Sequence, residues 1–264
     1  MNKTLLTLLA WFAFSAPAHA DDDALYRSRL IVTGDREETR IPVIPQGFEQ
    51  AAQKLTGNPD IAQNPAFAAL AIGARAMVWS YTYHDRMFGI PIHDEQGTRD
   101  RPFDLTFQFD KKRLDDAMAA LGERPWVGAR PRLALVFEVT DMARSYILAA
   151  DGVHGSDLRA SFEDASDLFA MPIIFAREAD LSAIAPDKID AIPLETWTAL
   201  KSSLGADAIL VGHLDWETNE PGWHATWRLP LSAQTASWEI AGVNFDAAFR
   251  NAIGGAAKRL RPTN

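Results

Sequence analysis

The chain has no cysteine among its 264 residues. That excludes disulfides, thiol catalysis, thiolate zinc sites and iron–sulfur ligation, so the fold must be held by its own core. There is no apolar run of the roughly 20 residues that a membrane span needs. There is no Gly-rich phosphate loop and no Gly-x-Ser-x-Gly elbow, so neither nucleotide binding nor α/β-hydrolase chemistry has a sequence signature here. Positive charge is also scarce. Lys and Arg total 26 against 35 Asp and Glu, a formal net charge of −9. Such a chain is a poor ligand for nucleic acid or anionic headgroups. The short basic clusters Lys111-Lys112-Arg113 and Lys258-Arg259-Leu260-Arg261 read as solvated helix ends.

What is present begins at the N-terminus. Met1 to Ala20 has a single charge at Lys3, an apolar stretch from Leu5 to about Phe14, a helix-breaking Pro17 and the small-x-small triplet Ala18-His19-Ala20. This is the pattern of a secretory signal peptide cleaved after Ala20. It implies a soluble, periplasmic mature chain starting at the acidic run Asp21-Asp22-Asp23. No cysteine follows the apolar stretch, so no lipid attachment is expected. The mature chain of about 244 residues is long enough for one large domain or two small ones.

Gly122 to Pro131 packs two Gly and two Pro into ten residues and marks a boundary. The expected organisation is a signal peptide over 1–20, an N-terminal α+β domain over 21–124, a linker over 125–131 and a C-terminal α/β domain over 132–264. In the first half, the spacing predicts a strand over 25–32 and an amphipathic helix over 47–55 that stops at Gly57. A second helix runs from Pro65 to Arg75, two strands cover 77–83 and 103–109, and a helix covers 110–121. The order is strand, helix, helix, strand, strand, helix. The 84–101 stretch between the two strands reads as a long hairpin loop.

In the second half, Leu133 to Val139 is nearly continuously apolar, as a strand covered on both faces requires. Strands are expected over 146–149, 173–175, 208–214, 223–229 and 237–243, the last two as an antiparallel pair. Helices are expected over 157–170, 194–204 and 246–260. The fold class is therefore α+β or α/β, the second half having a mixed sheet and a C-terminal helix.

Several stretches together carry a resemblance. They are Thr56-Gly57-Asn58-Pro59, Trp126 with Arg130-Pro131, Gly205-Ala206-Asp207-Ala208-Ile209-Leu210-Val211-Gly212, and Gly222-Trp223-x-Ala225-x-Trp227. With these the chain resembles a bacterial exported family of unknown function, domain-of-unknown-function family 2066, from about Leu25 to Leu260. The second half is also similar in layout to envelope accessory domains, among them periplasmic activators of cell-wall synthases and the N-terminal domain of the Tol translocation protein. The first half is similar in element order to small domains of flagellar and secretion-assembly proteins. The resemblance implies no catalytic residues. The Phe88 to Arg99 insertion departs from the family pattern.

Three groups of residues invite a chemical reading. His213, Asp215 and Glu217 alternate on one strand face, and an imidazole with two carboxylates suits zinc or manganese. The competing reading is a strand leaving the core for solvent. His84-Asp85-Arg86, His93-Asp94-Glu95 and His154-Gly155-Ser156-Asp157 place acid–base types in loops. There they read as mobile polar surface and, at Ser156 or Asp157, as a helix cap. Trp216, Trp223, Trp227 and Trp238 fall within 23 residues. Facing outward they would stack on sugar rings or anchor a partner; facing inward they are core. Trp216, beside a turn, is the one expected at the surface.

These features imply a soluble periplasmic accessory or binding protein that contacts a cell-envelope protein or cell-wall component. No catalysis, cofactor or nucleic acid is expected. The alternatives are a metal-dependent hydrolase of envelope material built on His213, Asp215 and Glu217, and a structural spacer in an envelope assembly.

Overall fold

The computed structural model describes residues 22–90, 100–219, 221–231 and 234–262. Residues 1–20, expected to be a signal peptide, and the loop residues His93, Asp94 and Glu95 lie outside the described residues.

The first sheet is built from β1 (Arg27–Thr33), β2 (Val78–Asp85) and β3 (Pro102–Phe109), antiparallel in the order β1-β3-β2. Its inner face follows from alternation: Leu105, Phe107 and Phe109 of β3 and Leu30 and Val32 of β1 are buried, while their neighbours face out. Between β1 and β2 the chain makes the short α1 (Glu37–Arg40), then α2 (Ile44–Thr56) and α3 (Phe67–Gly73). Helix α2 lays Phe48, Ala51, Ala52 and Leu55 on the sheet, the stripe its spacing encodes. It stops because Gly57 adopts φ +67°, and a Cβ there would also strike the Trp126 ring at 2.7 Å. Asn64 accepts a hydrogen bond from the Ala66 N–H just ahead of α3, whose cap position is Ala66 itself. α4 (Lys111–Ala120) follows β3, capped by Asp110, whose carboxylate accepts from the Arg113 N–H.

The second sheet has six strands: β4 (Leu133–Thr140), β5 (Ser145–Ile147), β6 (Ile173–Phe175), β7 (Ala208–Glu217), β8 (Gly222–Pro230) and β9 (Thr235–Val243). The path is β5-β4-β7-β8-β9, with β6 also on β4. β4 runs parallel to β6 and β7, and the other pairs are antiparallel, so the sheet is mixed as expected. The continuous apolar run of β4 has a direct cause. Leu133, Leu135, Phe137 and Val139 face α5 (Ser156–Phe169), while Ala134 and Val136 join a separate core on the opposite face. That opposite core is covered by α6 (Glu178–Leu181), a 3-10 turn over 186–191 and α7 (Leu194–Ser203). α8 (Phe245–Leu260) closes the chain beside α5, with Asn244 as its cap. Phe162 of α5 stacks on Phe249 of α8 at 3.8 Å between centroids, and Phe137 and Trp227 pack around the pair.

Gly254 and Gly255 permit close approach on α8: a Cβ at the first would meet Phe169 at 2.7 Å, and at the second Trp238 at 2.5 Å. Neither Ser156 nor Asp157 caps α5. Gly155 holds the cap position at φ +76°, without a side-chain bond.

The 125–131 segment sits against α2 and the end of α5. The Trp126 N–H donates to the Leu55 carbonyl at 2.7 Å. Arg130 is 8% exposed, donates to the carbonyls of Phe169, Lys54 and Trp126, and stacks on the Trp126 ring. Ion pairs Lys258–Asp60 and Arg261–Glu123 add links at the surface.

Candidate functional site

β7 changes character along its length. Ile209 and Val211 pack beneath α7, then His213, Asp215 and Glu217 continue the same face where the helical cover ends. His213 meets groups from other elements there. Its Nδ1 lies 3.2 Å from Glu138 Oε2 on β4, and its Nε2 lies 2.9 Å from Asp190 Oδ1 on the 186–191 turn. Glu138 is buried and also accepts from the Ser145 hydroxyl. Asp190 is paired in addition with Arg228 at 2.6 Å. The hydrogen bond from His213 holds the Asp190 carboxyl below the usual range, against an opposing effect of burial, with the charges of His213 and Arg228 adding to the lowering.

The structure thus brings His213 to Glu138 and Asp190, not into a group with Asp215 and Glu217. Both ring nitrogens face carboxylates on opposite sides, so neither is open to a shared metal. Among the described residues no group of three or more His, Asp or Glu is placed to hold one. Ser145, Glu138 and His213 do not form a serine triad. The carboxylate of Glu138 lies between Ser145 and the imidazole, whereas an activated serine needs the imidazole in the middle. The arrangement ties the 186–191 turn to the sheet. His213→Ala is expected to cost about 1–3 kcal/mol in urea unfolding, because Glu138 stays buried with one partner fewer. Asp190→Asn is expected to cost less than about 1 kcal/mol, since Asp190 is well exposed. The sign follows from the lowered pKa: the Asp190 contribution is full above about pH 5 and fades as pH falls below about 4. A wild-type minus Asp190→Asn difference that grew on acidification would contradict this.

Among the described residues the other acid–base groups do not converge. His154 Nδ1 sits 3.0 Å from an Arg144 nitrogen, and Asp85 is paired with Arg101 at 2.8 Å.

The clustered tryptophans turn inward. Trp227 is 1% exposed and lies between Phe137 and Phe162, which removes it from any binding surface. Trp238, directly across from Trp227 in register, lies under α8, donates its indole N–H to the Asn251 carbonyl and carries Arg259 on its face. Trp223 packs at the edge of the same core. Trp216, expected at the surface, is partly buried edge-on against Trp223 at 5.3 Å.

Among the described residues the exposed tryptophan is Trp79, at 75%. It stands where the β2–β3 register shifts between Val78 and Ser80. An extra residue at a bulge re-aims its side chain, and here the indole is turned out of the core. Around it, Ser80, Thr82, Thr106, Gln108 and Lys112 line a groove of about 760 Å³ on the outer face of the first sheet. An aromatic face above hydroxyl and amide groups can hold a ligand or partner by stacking and hydrogen bonding. No sequence signal singled out Trp79, because its strand reads as ordinary alternation and the bulge leaves no mark in composition.

Comparison with known proteins adds the following. Residues 20–127 match a family model described as a domain of unknown function (DUF8605), which covers the N-terminal part of the chain. This is a differently numbered family from the one the sequence resembles. No curated protein matches. Among solved structures, the C-terminal domain of LpoB from Salmonella enterica is similar at 10% identity and a TM-score of 0.29, over 43% of this chain and 82% of that one. Among the described residues no helix is long and apolar enough to cross a membrane.

Proposed function

We propose that this is a soluble periplasmic accessory or binding protein. It acts without catalysis, by contact with a cell-envelope protein or cell-wall component. Its N-terminal unit, 21–124, presents the contact surface, and 132–264 forms a second unit joined to it through 125–131. The likeness to family 2066 belongs to this reading.

The observation that carries it is Trp79, a large aromatic side chain held in solvent by a bulge above a polar groove. Burying such a ring recovers free energy that the isolated protein forgoes, and Trp dominates contact hot spots. The test is retention on isolated cell-wall sacculi and on solubilised envelope extract. Trp79→Ala is expected to lower retention at least tenfold, while Trp216→Ala lowers it little. Equal retention of wild type and Trp79→Ala on both materials would overturn the assignment.

A further inference from the structure

The strand that carries Trp79 is also an edge. The order β1-β3-β2 leaves β2 paired on one side only. Antiparallel pairing bonds alternate residues. The Arg86 N–H donates to the Pro102 carbonyl at 3.2 Å, so Ser80, Thr82 and His84 are the residues of β2 that bond to β3. Tyr81 and Tyr83 turn their N–H and C=O groups the other way, and no described residue bonds them. The bulge lies before Ser80, and the register over 80–85 is regular.

Proteins blunt such edges by making them short, by placing charge or Pro on them, or by covering them. β5 and β6 have three residues each, and β1 carries Arg27 and Arg29. β9 keeps its tryptophan, Trp238, beneath α8. β2 has eight residues with neither Lys nor Pro. Tyr81 and Tyr83 lie opposite Phe107 and Leu105, so their rings stand on the inner face, edge-on to each other at 5.9 Å. The outer side holds Trp79 and its groove.

Arg40 adds a charge to this edge. Its guanidinium lies 3.8 Å from the centre of the Tyr81 ring and donates to the Tyr83 hydroxyl at 3.3 Å. No carboxylate among the described residues is within ion-pair reach of it. Of the nearby acids Asp35, Glu37 and Glu38, only Glu37 acts on it, and Glu37 is already paired with Arg75 at 3.2 Å. The neighbouring Arg36 is matched to Asp100. A planar fork held flat on a ring, with donors to spare, suits a carboxylate. It also argues against a second copy of this chain. Antiparallel self-pairing centred on Tyr81 would bring the two Arg40 side chains together across the axis.

We propose that β2 accepts an extended, acidic segment of a partner protein as an added strand. The main chain of that segment bonds Tyr81 and Tyr83, a carboxylate on its inner side meets Arg40, and a side chain on its outer side meets Trp79. Main-chain bonds supply affinity in this mode and alternate side chains supply selectivity. The inference rests on the contact surface at Trp79 and names the kind of partner it takes.

The test selects from a random library of capped peptides of eight residues, the length of β2, on the full mature protein. Selected peptides are expected to carry Asp or Glu at a fixed position, to bind saturably and to slow amide exchange at Tyr81 and Tyr83. N-methylation of every second amide, in the phase facing β2, should weaken binding at least tenfold; the opposite phase should change it little. Replacing the peptide's acid by its amide and Arg40→Gln should each weaken binding at least fivefold, and both together no more than either alone. The proposal is overturned if no peptide binds saturably, if the two methylated series bind alike, or if the acid and Arg40 act independently. Should Trp79→Ala still lose retention on sacculi or extract in any of those cases, the contact surface stands and strand addition falls. Equal retention of Trp79→Ala overturns the surface reading itself, and phase-dependent peptide binding would then still support the edge.

Discussion

Replacing Arg130 with methionine should lower the unfolding free energy by about 3 kcal/mol or more, the cost of stranding buried carbonyls. The guanidinium is nearly enclosed and donates to three backbone carbonyls from three elements: Lys54 on α2, Phe169 at the end of α5, and Trp126. Each carbonyl left buried without a donor costs about 1–3 kcal/mol, and some of that is recovered if water enters. Burial pulls the guanidinium pKa down to about 10, so it is still charged at neutral pH. Its hydrogen bonds are therefore charge-assisted ones.

Methionine keeps much of the packing against Trp126 and none of the donors, which isolates the polar contribution. Lysine keeps the charge but offers a point donor in place of a fork, so Arg130→Lys should fall between wild type and Arg130→Met. In a chain of this size about 3 kcal/mol corresponds to a drop of roughly 6–12 °C in the thermal midpoint. The carbonyls come from both sides of the junction, so the variant should also uncouple the two proposed units. Urea unfolding would then broaden or split. A loss under about 1 kcal/mol with a single sharp transition would contradict this account.

Arg130 also marks where reading the sequence stops working. The elements were legible because burial imposes a period on them. Phe103, Leu105, Phe107 and Phe109 alternate because β3 has one covered face. Leu133 to Val139 does not alternate because β4 has two. Gly57 announced a helix end because such an end needs a positive φ. Arg130 stands in a stretch rich in Gly and Pro that reads as a linker, yet it is among the most buried charged residues. Its partners are backbone carbonyls far away in sequence, and no residue type signals a carbonyl.

The same limit applies to the sites. His213 was legible as a polar residue at the end of a buried strand, but its partners Glu138 and Asp190 come from separate elements. The turn that carries Asp190 has no apolar period to announce it. The C-terminal tryptophans advertised themselves by clustering, and that clustering reflects a shared core around α8. Trp79 advertised nothing, because a bulge is a property of strand pairing and depends on β3 as much as on β2. The polar stripe of α2 that faces α5 and α8 was equally silent. Gln46, Gln50 and Lys54 look like the solvent face of an amphipathic helix until α5 and α8 are placed opposite them.

Gly212→Ala should be as damaging as the loss of Arg130, for the opposite reason: an atom too many. Gly212 lies on β7 directly across from Trp227 on β8. A Cβ there would overlap the Thr226 carbonyl oxygen and come within 2.5 Å of the Trp227 ring. Real Cβ atoms do not approach that closely, so something must move, and neither neighbour is free. The carbonyl belongs to the backbone of the paired strand. Trp227 is wedged against Phe137 and Phe162, themselves packed on Phe249. Overpacking usually costs about 1–3 kcal/mol when side chains can rearrange. With one obstacle in the backbone and the other in the densest part of the core, about 3 kcal/mol or more is expected, together with loss of soluble yield. Two further glycines calibrate the result. Gly255→Ala meets Trp238 at a similar distance, but that ring lies partly at the surface and can tilt, so a smaller loss is expected. Gly73→Ala, at the end of α3 with nothing near its added atom, should be neutral or stabilising by up to about 1 kcal/mol. Denaturant midpoints ranked Gly73→Ala highest, Gly255→Ala between and Gly212→Ala lowest would place the tightest packing at the β7–β8 contact. A Gly212→Ala protein within 1 kcal/mol of wild type would show that the strands there can part, and the inward placement of Trp227 would have to be abandoned.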